Sequence, residues 1–124
     1  MPRPVRIVLV EDNEVFREAL ELLLGMRPDV EIVASVGDGG EAVAAAVAHE
    51  PDVVLMDYRL PGLDGVQATA AVLEAAPEVA VVALTASASE REVEALLDAG
   101  ATACLTKDRE LDEIVDAILE AAVR

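Results

Sequence analysis

The sequence predicts an α/β fold, a doubly wound parallel sheet of five strands with helices on both faces. Three observations predict it. Short apolar, β-compatible runs alternate five times with longer segments of helical periodicity. The connections are short, and right-handed crossovers then bring successive strands parallel. The run Val53-Val54-Leu55-Met56 is apolar at consecutive positions, as a strand covered on both faces must be, and it stops on a carboxylate, Asp57.

Each element has its own signature. Val5 to Val10 reads as a strand ending in Glu11-Asp12. Phe16, Ala19, Leu20, Leu23 and Leu24 then recur at helical spacing with Arg17, Glu18 and Glu21 opposite, and the helix closes near Gly25. Residues 30–36 form a second strand, Gly37-Asp38-Gly39-Gly40 a turn, and residues 41–49 an Ala-rich helix ended by Pro51. After the Asp57 strand a helix runs from about residue 64 to 76 and is stopped by Pro77. Residues 79–84 are a fourth strand, ending in Thr85. Ser89 or a neighbour caps a helix that ends at Gly100. Residues 102–105 are a short fifth strand close to Lys107. Leu111, Ile114, Val115, Ile118, Leu119 and Ala122 mark a last amphipathic helix. There is no linker or repeat, so one domain over residues 1–124 is expected.

Bulk properties narrow the function. A chain of 124 residues can bury roughly two-thirds of its unfolded surface. It is 54% hydrophobic, yet no apolar run approaches the ~20 residues that span a bilayer, and the start does not read as a signal peptide. A lone Cys104 leaves no internal disulfide, and a cytoplasmic location is expected. The formal charge of −16 argues against this domain itself gripping DNA or an anionic membrane. One His and one Cys exclude the usual clustered zinc sites.

The polar residues at the strand ends carry the chemistry. Glu11 and Asp12 follow strand one, Asp57 closes strand three, Thr85 closes strand four and Lys107 follows strand five. In the flavodoxin-like order 2-1-3-4-5, strands one and three are neighbours at a switch point, where open sheets bind ligands. Three carboxylates are then expected to converge. Like charges that close raise pKa values or demand a cation. An oxygen-only site suits Mg²⁺, which keeps waters for an incoming phosphoryl oxygen. Thr85 and Lys107 can bind phosphate oxygens, and Asp57 is free to act as a nucleophile.

These motifs resemble those of the receiver domain of bacterial two-component response regulators. The resemblance covers essentially the whole chain. It rests on Glu11-Asp12, on Met56-Asp57 followed by Arg59-Leu60-Pro61-Gly62-Leu63-Asp64-Gly65, on Leu84-Thr85-Ala86, and on Gly100-Ala101 leading to Lys107-Asp108. It implies a CheY-like (βα)5 fold. It also implies that Asp12, Asp57 and the backbone carbonyl of Arg59 ligate Mg²⁺ directly, with Glu11 acting mainly through water. Asp57 would accept phosphoryl from the phospho-His of a sensor histidine kinase, and Thr85 and Lys107 would bind the group. The Arg-Leu-Pro-Gly, Leu-Thr-Ala-Ser and Thr-Lys-Asp segments are similar to the NarL/FixJ (LuxR-type) subfamily, whose receivers precede a helix-turn-helix DNA-binding domain. No such domain is in this sequence, which reads as a fragment. DNA would be reached only through that output domain. Receivers of this kind dimerise through the first and last helices, or through the helix 4–strand 5–helix 5 face.

The sequence departs from the family where an aromatic ring usually stands three residues before the lysine. Here the residue is Cys104, which cannot sweep the same volume and reads as a small buried hydrophobe rather than a redox sensor. Glu11 replaces the also common Asp. Arg59 and Ser87 occupy positions that in the family tune acyl-phosphate hydrolysis. Gly37-Asp38-Gly39-Gly40 lacks P-loop spacing. Phe16 reads as core rather than pocket wall, Tyr58 has no assigned role, and His49 suits a helix C-terminus. The apolar excess on the last helix suits either partner surface or a wide core stripe. A phosphorylation-controlled receiver is the leading reading, self-catalysed in its phosphoryl chemistry and not an enzyme acting on an external metabolite. Its rivals are a degenerate, phosphate-independent interaction module and an Mg²⁺-dependent phosphohydrolase. The phosphohydrolase would carry a second acid where Arg59 stands. A flavodoxin-like cofactor binder would need more than one Phe and one Tyr.

Overall fold

The computed structural model describes residues 3–86 and 89–123. Its elements are β1 (Val5–Val10), α1 (Glu14–Gly25), β2 (Val30–Val36), α2 (Gly39–His49), β3 (Val53–Asp57), α3 (Gly65–Ala75), β4 (Ala80–Thr85), α4 (Glu90–Asp98), β5 (Ala103–Thr106) and α5 (Leu111–Ala122). The strands pair in parallel, as the alternation predicts, and in the flavodoxin-like order β2-β1-β3-β4-β5 that the family resemblance implies.

Side-chain alternation along β3 divides the core. Val53 and Leu55 join Ile7, Leu9, Val82 and Leu84 against Leu20 and Leu24 of α1 and Ile114, Val115 and Ile118 of α5. Val54 and Met56 join Val8, Val10, Val81 and Ala83 against Ala42, Ala46, Ala68, Val72 and Leu96 of α2, α3 and α4. All four apolar residues of β3 are fully buried. That is the physical meaning of the unbroken apolar run, since each face of the strand meets a helix layer.

Local chemistry starts each helix where the fold needs it. The Asn13 side chain accepts the Phe16 N–H and starts α1. Asp64 and Gln67 form a reciprocal capping box on α3, and Ser89 caps α4. Acids in the first turns (Glu14, Glu41, Glu90, Glu92, Asp112, Glu113) face the positive ends of their helices, which gives part of the strong negative charge a local role.

One expectation changes, and one open choice is decided. Gly39 and Gly40 belong to α2 rather than to a turn. Asp38 accepts the Glu41 N–H at 2.7 Å and starts the helix there. Gly39 is needed because a Cβ would lie 2.7 Å from the Leu63 Cβ. The apolar excess of α5 is core: Leu111, Ala117, Leu119 and Ala122 all pack against the α1–α5 cluster. Among the described residues no helix is long and apolar enough to cross a membrane.

The amino end of the sheet is tied by Asp52. Its carboxylate accepts the Arg6 N–H at 2.9 Å and a two-pronged contact from Arg3 at 2.9 and 3.0 Å. Its own N–H donates to the Arg6 carbonyl, and its carbonyl accepts the Ala80 N–H, so one residue links β1, β3 and β4. Burial pushes the Asp52 pKa up, but the Arg3 guanidinium and the Arg6 N–H outweigh it and hold the carboxyl below its ordinary value. Asp52→Ala is expected to cost about 1–2 kcal/mol at neutral pH, mostly from the uncapped Arg6 amide. Because the native pKa is lowered, this stabilisation is complete above the unfolded-chain value of ~3.9 and is lost as pH falls through the native one. Urea unfolding of both proteins should therefore show the gap closing below about pH 4.

Candidate functional site

Register brings the strand-end residues together. Val10 pairs with Met56, so Glu11 and Asp57 follow on adjacent strand ends. Asp57 pairs with Leu84, next to Thr85, and Thr85 pairs with Thr106, next to Lys107. The Glu11 N–H donates to the Val36 carbonyl at 3.0 Å, and the Lys107 N–H donates to the Thr85 carbonyl at 2.8 Å. The four side chains thus emerge at one sheet edge. Glu11, Asp57 and Thr85 are buried, at 1%, 5% and 2% exposure.

Two carboxylates and one ammonium form the centre. Lys107 Nζ lies 2.7 Å from Glu11 Oε1 and 3.2 Å from Asp57 Oδ1. Burial raises the Asp57 pKa, and the neighbouring Glu11 carboxylate adds to it by hydrogen bond and by charge. Lys107 opposes both, and the balance leaves Asp57 pushed up to about 6. A carboxylate with this proton affinity is a better nucleophile than an exposed one.

The sequence expects three converging acids; the structure joins two. Asp12 is exposed, and among the described residues no three acid, His or Cys side chains gather closely enough to hold a metal ion. Glu11, just past β1, is tied by its N–H to the Val36 carbonyl and turns inward, where its Oε2 accepts the Asn13 N–H at 2.9 Å. The donor set nevertheless fits a hard divalent cation. Glu11 Oε1 is buried and, despite its short ion pair with Lys107, makes no well-directed hydrogen bond. Two buried carboxylates against one ammonium leave negative charge uncompensated, and every available ligand atom is oxygen.

The loop after Asp57 is built around close backbone contacts. Tyr58, half-buried, donates its N–H to the Leu84 carbonyl at 2.9 Å, and its carbonyl accepts the Gly65 N–H at 2.6 Å. The Arg59 N–H lies 3.4 Å from Asp57 Oδ1, which places the exposed Arg59 in the turn directly over the acid. A Cβ on Gly65 would lie 2.6 Å from Tyr58 Cα and 2.8 Å from the Asp57 carbonyl.

Two residues have larger roles than the sequence suggests. Phe16, expected in the core, does pack partly on the α1–α5 cluster, but its ring also lies 4.7 Å from Lys107 Nζ and walls the site. Arg17, expected on the solvent face, is half-buried and donates to the Glu11 carbonyl at 2.9 Å. The available signal was their position, one helical turn after the acid pair. Cys104 is half-buried, pairs with Ala83 across β4 and β5, and packs on the α2–α4 side. Burial pushes its thiol pKa up and Glu92 adds to the shift, which disfavours the reactive thiolate. Ser87 lies outside the described residues.

Fold and site together define a doubly wound domain that gathers buried acids and a balancing lysine at the carboxyl edge of its sheet. The chain belongs to the response regulator receiver domain family, which matches residues 7–119. It is similar to the transcriptional regulatory protein NarL of Mycobacterium tuberculosis, at 38% identity over 121 residues covering 98% of this chain and 56% of that protein. It is also similar to the transcriptional regulatory protein DegU of Brevibacillus brevis, at 35% identity over 114 residues covering 92% of this chain and 48% of that protein. The chain thus spans about half the length of the curated relatives it matches. The solved signal receiver domain of NarL from Mycobacterium tuberculosis aligns with a TM-score of 0.93 at 38% identity, covering 98% of each chain. This is a signalling family, and its members are not classical enzymes.

The site's charge balance has a measurable cost. The Asp57 pKa rises from 3.8 to about 6, so the wild type loses stability as pH rises through that window and stays lower above it. In the absence of divalent cations, Asp57→Asn should be more stable by about 1–2 kcal/mol near pH 7.5, with the gain vanishing near pH 4. Denaturant titrations at the two pH values check this. Gly65→Ala should destabilise by about 1–3 kcal/mol, because backbone must move to admit the methyl group; thermal unfolding measures it.

Proposed function

We propose that the chain is a single receiver domain, filling residues 1–124, of a cytoplasmic response regulator, and that Asp57 is its phosphoryl acceptor. The observation that carries this reading is Asp57 itself, a buried, unusually basic carboxylate in ion-pair contact with Lys107 at the sheet's carboxyl edge. The donor is the phospho-His of a sensor histidine kinase. An Asp57 oxygen attacks phosphorus, the P–N bond of the phosphohistidine breaks with its electron pair going to that ring nitrogen, and neutral imidazole leaves with the proton already on its other nitrogen. The product is an aspartyl phosphate. Lys107 balances the added charge, and the Thr85 hydroxyl binds a phosphoryl oxygen. Glu11, Asp12, Asp57 and the Arg59 carbonyl are the residues to hold Mg²⁺. When bound, Mg²⁺ neutralises charge on the acid pair and on the phosphoryl oxygens.

The readout is a population shift on the α4–β5–α5 surface. The Lys107 N–H bond to the Thr85 carbonyl supports it, since a pull on either residue loads the β4–β5 edge. The output is a C-terminal helix-turn-helix domain acting on DNA, supported by the relatives being transcriptional regulators about twice this length. Homodimerisation through the first and last helices is supported by Val15 and Leu22 on α1 and Met26 at its C-terminal cap, which leave an exposed apolar row. Cys104 favours a second reading, a phosphate-independent interaction module, because a thiol cannot act as the aromatic switch.

Intact mass after incubation with acetyl phosphate separates the two readings. The expected result is one added phosphoryl group that requires Mg²⁺ and is absent in Asp57→Ala. Lys107→Ala and Thr85→Ala should form it on the order of 100-fold more slowly. Size-exclusion chromatography of the same samples tests the coupled change in assembly. No adduct, at short times and with a cognate kinase, favours the interaction module.

A further inference from the structure

We propose that Phe16 is a positioning residue that holds the Lys107 ammonium over the acid pair and thereby sets how strongly a divalent cation must compete for Glu11 and Asp57. This rests on the reading that the site takes Mg²⁺. Lys107 Nζ meets Glu11 Oε1 at 2.7 Å, Asp57 Oδ1 at 3.2 Å and the Phe16 ring centroid at 4.7 Å. The Lys107 side chain is only 20% exposed, so its contact with the ring is shielded from water. Cation–π contacts of shielded ammonium groups correspond to roughly 2- to 30-fold in an equilibrium constant.

The ring is fixed relative to the acids. Glu11 Oε2 accepts the Asn13 N–H, and Asn13 Oδ1 accepts the Phe16 N–H, both at 2.9 Å. The same carboxylate that meets the ammonium therefore anchors the cap that sets the ring. The ring also packs against the α1–α5 core. Ammonium and divalent cation seek the same oxygens, Glu11 Oε1 and Asp57 Oδ1. Stabilising the ammonium there weakens the cation's hold by the same factor. The aromatic ring also keeps Lys107 at the site once it has given up the oxygens, where it can meet a phosphoryl group.

These roles give opposite signs in two measurements. In the full chain, Phe16→Leu keeps an apolar side chain of similar size but removes the π face. Calorimetric titration with Mg²⁺ should show about 3- to 10-fold tighter binding than wild type. The rate of phosphoryl uptake from acetyl phosphate at saturating Mg²⁺ should fall by a similar factor. Phe16→Tyr, which keeps the face, should restore both. In a Lys107→Met background, Phe16→Leu should leave Mg²⁺ affinity unchanged. A merely structural role would weaken binding and rate together. Unchanged or weaker Mg²⁺ binding in Phe16→Leu, or the same change in the Lys107→Met background, overturns the proposal while wild-type phosphorylation leaves the functional reading standing. A wild type that neither binds Mg²⁺ nor gains a phosphoryl group overturns both.

Discussion

Two buried carboxylates share one ammonium at the carboxyl edge of the sheet, and most of the site follows from that imbalance. Taking acids out of water is unfavourable, and the attraction of one lysine offsets only part of the penalty. Asp57 responds by raising its proton affinity to about 6. Glu11 responds by spreading its contacts, with one oxygen on Lys107 and the other on the Asn13 N–H that caps α1. An electrostatically unfinished site is a poor device for stability and a good one for receiving positive charge.

The scaffold keeps this site rigid at a distance from its own weak points. β3 is buried on both faces, and its neighbours are tied at both ends. Asp52 links the amino ends of β1, β3 and β4, while Tyr58 and Gly65 fold the outgoing loop against β4 and back on itself. Asp57 therefore cannot retreat into solvent to relieve its environment. Its backbone is held on one side by the Leu84 pairing and on the other by the loop that packs Gly65 against it.

Lys107 is the partner that both acids share. Its backbone belongs to the β4 edge through Thr85, while its ammonium reaches the β1 and β3 ends. It thus connects the acids to the part of the sheet that carries α4 and α5. Cys104 lies on that same edge, and its raised thiol pKa fits a packing role better than a redox one. With a small side chain there, the β4–β5 edge has no aromatic ring to swing.

The sequence by itself determined the five alternations, the parallel pairing they require, and the residues that end each strand; the strand order came with the family resemblance. Periodicity, capping residues and right-handed crossovers are local or chain-wide rules that need no partner. Asp57, Thr85 and Lys107 were legible because a polar residue ending an apolar strand stands out, and a parallel sheet sends all such ends to one edge. Only the tertiary structure decided which acids meet. Glu11 turns inward while Asp12 is exposed, a choice made by the last rung of the β1–β2 ladder and by the Asn13 amide. It also decided that position 39 must be glycine, because Leu63 arrives against it from a loop distant in sequence. Phe16 and Arg17 gained their roles in the same way. Their neighbours Lys107 and the Glu11 carbonyl come from other elements, and no spacing along α1 records what a folded sheet brings against it.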